Sequence, residues 1–187
     1  MVYDLRLFLQ VESTSLARQT QRAWAGVKKC VGAVRSRLGK SEKTRFCVLD
    51  AQRVKNTDTA KAKGYDADKK VSRIKRHLTV DSQGLIHAIA MRTANVTDRA
   101  GTIQAMRDYQ EDLSWVQSVW ADGSYVGQPF AQAVKTQLGA IVQVAERSQR
   151  STFAVTPKRW IVERTFAWLE KCRRLWKNPE RNLNTSL

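Results

Sequence analysis

Hydrophobic and polar positions along the chain follow a helical period in some stretches and an extended pattern in others. Residues 1–45 contain no proline and place apolar side chains at helical spacing, and Gly39 marks the end of a helix. Residues 46–49 form a short apolar run that predicts a buried strand, with Asp50 at its exit. The residues that follow are polar and without a clear period, which predicts a loop.

Two more strands are predicted in the sequences RIKRHLTV and LIHAIAMRT, at residues 73–80 and 85–93. The DSQG sequence between them has aspartate first and glycine last, which favours a type I turn. A helix is predicted next, with Thr97 and Asp98 as candidate N-caps.

The second half of the chain alternates strands with helices. A strand ends just before Asp122, a helix with a proline in its first turn covers residues 128–138, an apolar strand covers residues 140–145, and a basic helix covers residues 156–176. This alternation favours a mixed α/β sheet that is covered by helices on both faces.

The composition is that of a globular protein. Hydrophobic residues make up 42% and charged residues 27% of the 187 positions, which suits one full domain with a small additional piece. We expect a helical N-terminal segment, residues 1–45, and a core, residues 46–187. No run of about 18 apolar residues occurs and residues 1–14 make a poor secretory signal, so we expect a cytoplasmic protein without a membrane span.

Charge and cysteine content narrow the possible functions. Lys and Arg number 33 against 17 Asp and Glu, and a net charge of +16 favours a nucleic acid partner. A membrane surface fits less well, because no helix combines a basic face with a strongly apolar one. Three widely spaced cysteines and only two histidines argue against a zinc site and fit a reducing compartment. We interpret His77 and His87 as structural.

Three acids stand out as candidate ligands of divalent cations. Asp50 and Asp122 follow apolar strands, and α/β sheets build their sites at the carboxyl ends of strands. Glu163 lies at the border of the apolar face of the last helix. Other interpretations stay open, since Asp122 suits a turn or a helix cap and Glu163 suits an ion pair with Arg159. Three carboxylates can hold two Mg²⁺ or Mn²⁺ ions about 4 Å apart, an arrangement suited to phosphodiester displacement.

Four sequence blocks follow one another between residues 46 and 181. They are CVLDAQRVKNT, GYDADKKVSRIKRHLTVDSQGLIHAIAMRTANVTDRAG, VWADGSYVGQPF and PKRWIVERTFAWLEKCRRL. In this order they resemble the bacterial insertion-sequence transposases of the DDE class, in particular the subgroup whose core ends in RRWVVERTFAWL.

The resemblance implies an RNase H-like fold: a mixed five-stranded sheet with helices on both faces, preceded by a short helical segment. It also implies that Asp50, Asp122 and Glu163 are the catalytic residues and hold the two Mg²⁺ or Mn²⁺ ions, and that Arg159 orients Glu163 or binds a phosphate. The chain departs from related families at Glu170, where they carry a lysine. Members usually begin with a separate DNA-binding domain, and we find no equivalent in this sequence.

Basic residues between positions 50 and 80 and on the last helix are candidates for contacts with DNA phosphates, although a solvated basic loop is the alternative for any one of them. The predicted contacts are Lys55, Lys69, Lys70, Arg73, Lys75, Arg76, Lys158, Arg159 and Arg164. On the last helix, Trp168 and Trp176 are predicted to pack in the core. Trp160 is left open between core packing and stacking on a DNA base.

The resemblance implies a DNA transposase that cleaves the ends of an insertion sequence and joins them to target DNA with the help of Mg²⁺ or Mn²⁺. The alternative is a truncated, catalytically inactive remnant that only binds DNA. A third interpretation is an RNase H-like nuclease of host function. The resemblance further implies a homodimer that brings two transposon ends together, acting at the bacterial nucleoid.

Overall fold

The computed structural model describes residues 16–57, 64–66, 70–144, 158–172 and 175–178. The helices in these ranges are α1 Leu16–Arg37, α2 Asp98–Asp108, α3 Gln128–Leu138 and α4 Arg159–Glu170. The strands are β1 Phe46–Asn56, β2 Gly64–Asp66, β3 Val71–Val80, β4 Ile86–Thr93, β5 Ser118–Ala121, β6 Ile141–Val144 and β7 Lys177–Asn178. Of these helices, none has the length and apolar character needed to cross a membrane.

Strand β1 is the centre of a mixed sheet. Its first residues pair in parallel with β5, which pairs in parallel with β6, while its residues Val48–Val54 pair antiparallel with β3. Strand β4 extends the antiparallel side beyond β3, so the five main strands run in the order β4-β3-β1-β5-β6. The short strands β2 and β7 add to β3 and β1. The mixed α/β fold class predicted from the sequence is confirmed.

Strand β1 is longer than the sequence pattern predicts. The prediction ended the strand at Asp50, whereas β1 continues to Asn56. The reason is that the polar residues after Asp50 form a regular antiparallel ladder with β3, which includes Ala51 to Val54. This ladder satisfies the backbone hydrogen-bonding groups whatever the side chains are, so a polar sequence does not end the strand. Asp50 therefore lies within a rigid strand rather than at the start of a loop.

The turn between β3 and β4 has the predicted form. The Gly84 N–H donates to the Asp81 carbonyl at 2.9 Å, and Gly84 has a φ of 79°, a left-handed conformation that glycine adopts easily. The Asp81 carboxylate also accepts the N–H groups of Gln83 at 2.8 Å and Leu85 at 3.0 Å. A fully buried aspartate thus holds this turn in place.

Helices cover both faces of the sheet. Because side chains alternate along a strand, Cys47 and Leu49 of β1 face α2 and α3, whereas Val48 faces α4. The core residues contributed by α4 are Ile161, Val162, Thr165, Phe166 and Leu169. The face of β1 that carries Val48 also carries Asp50, two residues further along, so α4 is the helix that approaches this aspartate.

The helix signals in the sequence are confirmed for α2 and α3. Thr97 is the N-cap of α2, and its side chain accepts the N–H of Ala100 at 3.2 Å. Pro129 lies in the first turn of α3, and Gly139 ends that helix with a φ of 69°.

Helix α4 is shorter than the predicted span of residues 156–176. It ends at Glu170, and residues 156–157 lie outside the described residues. Residues 171–172 and 175–176 form turns or bends, and Lys177 pairs with Lys55 in a short parallel ladder between β7 and β1. This pairing needs an extended chain, which is incompatible with a helix that continues through residue 176.

Helix α1 packs directly against the rest of the described structure. Trp24 donates its indole N–H to Asp112 at 2.6 Å, and its ring lies 4.5 Å from that of Tyr109. Nearer its C-terminal end, Arg35 is buried and forms an ion pair with Asp81. The helix that precedes the sheet is therefore attached to the turn between β3 and β4.

Candidate active site

Asp50 and Asp122 lie side by side where the parallel strands β1 and β5 separate. The last pair in their ladder is Val48 opposite Trp120, and each aspartate follows its member of that pair by two positions. Residues two apart in an extended chain point to the same face, so both aspartates lie at the same level on the face covered by α4. Both line one small cleft, together with Arg159.

The environment of Asp50 makes its charge costly. Burial is the main cause that raises the pKa of Asp50, and the negative charge of Asp122 raises it further. The N–H of Ala51, which donates to Asp50 Oδ1 at 2.7 Å, and the positive charge of Arg159 both act to lower it. The net effect is a pKa of about 6, so a positive charge in the cleft would favour the ionised form of Asp50.

Asp122 is held in place by the turn that follows β5. It caps a short 3-10 turn, Gly123–Tyr125, and its Oδ1 accepts the backbone N–H of Ser124 at 2.9 Å. The Ser124 hydroxyl donates to the same oxygen. One carboxylate oxygen is therefore fully engaged by Ser124, which leaves Oδ2 to face the cleft.

Arg159 links Asp122 to Glu163. Its Nη1 lies 3.5 Å from Asp122 Oδ2, and its Nε lies 3.0 Å from Glu163 Oε1, one helical turn further along α4. The arginine Nε lacks a hydrogen bond of good geometry, so the contact with Glu163 is an ion pair rather than an aligned hydrogen bond. The Glu163 side chain is 55% exposed, which leaves it room to change its conformation.

Glu163 lies on the edge of α4 that runs along β1. Residues 159, 163 and 170 share one side of the helix because they are four and seven positions apart. Arg159 contacts Asp122 at one end of this edge, and Glu170 accepts a hydrogen bond from Gln52 of β1 at 2.6 Å at the other. Asp50 precedes Gln52 by two residues, so this edge of α4 runs along the face of β1 that carries Asp50.

The structure brings Asp50 and Asp122 into one cleft, but it does not gather all three acids. Within the described ranges, no group of three or more acidic, histidine or cysteine side chains is close enough to hold a metal ion. Glu163 contacts Arg159, which lines the cleft, and Glu163 itself is not among the residues that line it. The assignment of these acids as ligands and catalytic residues therefore stays a prediction.

Two of the predicted DNA contacts are inconsistent with the structure. The Lys75 residue is only 6% exposed, and its amine contacts the Val96 carbonyl at 2.9 Å and Asp98 at 3.0 Å. Arg76 is 2% exposed and donates to the carbonyl of Leu175 at 2.5 Å. Burial also lowers the pKa of Arg76 to about 10. Lys75 is covered on one face of the sheet by the start of α2, and Arg76 on the other face by the chain at Leu175, so neither is free to reach a phosphate.

The other basic residues have different surroundings. Lys55, Lys70 and Lys158 are exposed, Arg73 is half-buried, and Lys69 lies outside the described residues. The amine of Lys158 is 4.7 Å from the centre of the Phe46 ring, and so lies over an aromatic side chain next to the cleft. Exposed positions are compatible with phosphate contacts, which stay a prediction for these residues.

Arg164 is held in place by its neighbours on α4. Its guanidinium lies 4.7 Å from the Trp160 ring and 4.9 Å from the Trp168 ring, and Nη2 donates to the carbonyl of Gln83 at 2.8 Å. Trp160, Trp168 and Trp176 are all exposed. The prediction that Trp168 and Trp176 pack in the core is therefore wrong. These tryptophans lie on the flank of α4 or beyond its end, outside the stripe of residues that the helix buries.

Sequence reasoning missed two residues that support the cleft. Ser124 fixes the orientation of Asp122, and the sequence Asp-Gly-Ser is a signal that could have indicated this, since aspartate often accepts the N–H two residues later. Gln52 connects β1 to Glu170, and no local pattern predicts this contact because the residues are 118 positions apart.

The two histidines are both buried. His77 packs against α2, with Nδ1 3.4 Å from the Thr102 hydroxyl, and burial lowers its pKa to about 4. His87 Nε2 lies 3.5 Å from Asp81 Oδ2. Their positions agree with a structural interpretation.

Comparison with known proteins gives a family for this chain. Residues 41–186 match the family model described as Transposase DDE domain. No curated protein matches the sequence. Among solved structures, the chain is similar to one in the simian T-cell lymphotropic virus intasome in complex with PP2A regulatory subunit B56 gamma, with 17% identity and a TM-score of 0.47 over 69% of this chain and 39% of that chain.

A second similar structure is the piggyBac transposase synaptic complex with hairpin DNA, with 11% identity and a TM-score of 0.43 over 75% of this chain and 30% of that chain. The matched part is thus less than half the length of either of these proteins. The family model, in contrast, covers most of the present sequence. The chain belongs to the transposase DDE domain family.

Proposed function

We propose that this protein cleaves DNA at the ends of an insertion sequence and joins the freed ends to target DNA, with Asp50, Asp122 and Glu163 as its catalytic acids. The observation that carries the proposal is the position of Asp50 and Asp122 at one level on adjacent parallel strands, lining the same cleft. Membership of the transposase DDE domain family supports this reaction class.

The donor set suits divalent cations. Carboxylate oxygens are the ligands that Mg²⁺ prefers, and Mn²⁺ accepts them equally. Asp50 is costly to ionise without a nearby cation, as its raised pKa indicates, and Asp122 keeps Oδ2 on the open side of its turn. Asp50, Asp122 and Glu163 would hold the ions, with Glu163 contributing after it leaves Arg159. When bound, two such ions activate the attacking oxygen and stabilise the leaving oxygen of a phosphodiester.

The residues of this chain position the carboxylates and the DNA. The ladders that β1 forms with β3 and β5 fix the backbone of Asp50, and Ser124 fixes Asp122. Rigid placement of this kind is what phosphoryl transfer requires, because its catalysis depends mostly on positioning and charge. We propose that Lys158, which is exposed and next to Arg159 at the start of α4, holds a phosphate near the cleft.

The partners follow from the same proposal. A net charge of +16 provides a strong, sequence-independent attraction to DNA.

We assign catalysis to residues 46–187 and regard residues 1–45 as a supporting segment. Two ends must be joined to one target, so we propose a homodimer that acts in the bacterial cytoplasm at the nucleoid.

The proposal is tested by metal-dependent nicking of supercoiled DNA that carries insertion-sequence ends. The wild-type protein should nick this DNA with Mg²⁺ or Mn²⁺ and not with EDTA. Asp50→Asn, Asp122→Asn and Glu163→Gln should each lose nicking by at least about 100-fold while binding DNA within about threefold of wild type. Lys135→Ala, an exposed change on α3, is the control and should nick normally.

A remnant that only binds DNA is the second candidate, since the three acids are not gathered in this structure. It would bind DNA in the same way and show no nicking with any metal. A preference for RNA–DNA hybrids over insertion-sequence ends would instead favour a host nuclease.

A further inference from the structure

Arg159 occupies a central place among the proposed metal ligands. It lines the cleft with Asp50 and Asp122, and its guanidinium contacts both Asp122 and Glu163. Its positive charge is also one of the causes that lower the pKa of Asp50. A single side chain therefore acts electrostatically on all three acids.

The carboxylate oxygens that Arg159 contacts are the ones a metal ion would need. Ser124 engages Oδ1 of Asp122, so Oδ2, the oxygen nearest the guanidinium, is the one left for another partner. Glu163 Oε1 is likewise the oxygen nearest Arg159 Nε. A guanidinium and a divalent cation at these oxygens would compete for the same lone pairs, and their like charges would repel each other.

The contacts of Arg159 are of a kind that can be exchanged. The distance of 3.5 Å to Asp122 is longer than a normal charge-assisted hydrogen bond, and Nε makes no hydrogen bond of good geometry. The Arg159 side chain is 41% exposed, so its ion pairs are partly screened by water and each contributes little. Release of this side chain toward solvent is therefore inexpensive.

We infer that Arg159 is an internal counter-cation that holds Asp122 and Glu163 in the metal-free protein and releases them when a divalent cation binds. This inference rests on the proposed function, because it needs the three acids to be metal ligands. It explains why Glu163 is linked to the cleft by an arginine rather than gathered with Asp50 and Asp122. Release would also leave the guanidinium at the rim of the cleft, within reach of a DNA phosphate.

Lys158 is a less suitable counter-cation, although it is adjacent in sequence. Its amine lies over the rings of Phe46 and Trp120, at 4.7 Å and 5.3 Å from their centres. These contacts direct it to an aromatic surface, whereas both charged contacts of Arg159 are with the acids.

The test measures Mn²⁺ binding by isothermal titration and by the loss of the free Mn²⁺ EPR signal, in the full chain without DNA. Arg159→Ala should bind Mn²⁺ about tenfold more tightly than wild type, because a competing and repelling charge is gone. Arg159→Lys keeps the charge without the planar fork and should stay within about threefold of wild type. Arg107→Ala removes an exposed positive charge on α2 and controls for the change in net charge.

The stability of the metal-free protein gives a second readout. Arg159→Ala should melt at a lower temperature than wild type without metal and gain more than wild type when Mn²⁺ is added. Weaker or unchanged Mn²⁺ binding in Arg159→Ala would overturn the inference. The proposed function would still stand if wild type binds Mn²⁺ and loses that binding in Asp50→Asn. If neither protein binds Mn²⁺, both proposals fail. Binding by Arg159→Ala but not by wild type would also overturn the inference, because Arg159 would then block the metal rather than release its ligands.

Discussion

The ion pair between Arg35 and Asp81 offers a quantitative test of how α1 is attached to the sheet. The Arg35 side chain is 7% exposed and that of Asp81 is fully buried. Beyond Asp81, Arg35 Nε donates to the Ser41 carbonyl at 2.7 Å. The Arg35→Ala substitution would remove the cation and leave a buried carboxylate without its charged partner.

The expected loss follows from the partners that remain. Removing one member of a buried ion pair typically costs 3–5 kcal/mol. Asp81 keeps the N–H groups of Gln83 and Leu85, so we expect the lower end, about 3 kcal/mol. Such a loss is a large part of the stability of a typical domain, about 5–15 kcal/mol.

The assay is urea unfolding followed by circular dichroism at pH 7. Arg92→Ala is the matched control, because it breaks an exposed ion pair with Asp108 and should change the free energy of unfolding by less than about 1 kcal/mol. The double variant Arg35→Met with Asp81→Asn should recover part of the loss, since no unpaired charge is left buried. An Arg35→Ala loss no larger than that of Arg92→Ala would refute the reasoning.

Low pH should weaken the ion pair between Arg35 and Asp81. Burial alone would raise the pKa of Asp81, but the contact with His87 and the N–H groups of Leu85 and Gln83 outweigh it, so the folded pKa is below the unfolded value of 3.8. The stabilisation is therefore present above pH 3.8 and lost as the pH falls below it; Asp81→Asn should show a smaller acid-induced loss of stability than wild type. Asp50→Asn should stabilise the metal-free protein by about 1–2 kcal/mol at pH 7, because the folded pKa of about 6 means that ionised Asp50 destabilises the folded state. The gain in stability should disappear as the pH falls toward 4, where Asp50 is protonated in the folded protein. An Asn variant that is less stable than wild type at pH 7 would contradict this. Gly101→Ala should cost more than about 2 kcal/mol in urea unfolding, since a Cβ there would overlap the His77 ring, whereas Ala at the unobstructed Gly26 of α1 should not destabilise.

Much of the fold was predictable because local sequence and tertiary structure agree. The apolar run before Asp50, the DSQG turn and the Thr97 cap all appear in the structure where the pattern places them. The sequence could place Asp50 and Asp122 at the same edge of the sheet, but it could not predict that they lie at the same height on adjacent strands. That alignment depends on the parallel register of β1 and β5, which joins residues about 70 positions apart.

The errors share a physical cause. Lys75 and Arg76 were predicted to be surface cations, but both faces of β3 are covered there, and Asp98 and the Leu175 carbonyl, distant in sequence, engage the two side chains. Trp168 was predicted to be a core residue, but α4 buries only one stripe of residues, and the Trp168 ring lies outside it, against Arg164. A hydrophobicity pattern predicts least well whether side chains with both apolar and polar parts are buried or exposed.

The role of Arg159 was also predicted only in part. The i,i+4 spacing predicts its contact with Glu163, and the contact is present at 3.0 Å. Its second contact, with Asp122, depends on how the first turn of α4 docks at the end of β5, and no local pattern contains this information.

The location of bound Mn²⁺ tests the central claim most directly, namely that Asp50, Asp122 and Glu163 share divalent cations. Crystals of the full chain soaked in Mn²⁺ would be measured at a wavelength where manganese scatters anomalously. We predict a peak at roughly 2 Å from carboxylate oxygens of both Asp50 and Asp122, with Glu163 turned from Arg159 toward it. A protein that binds Mn²⁺ only elsewhere, with Glu163 still paired to Arg159, would contradict the account.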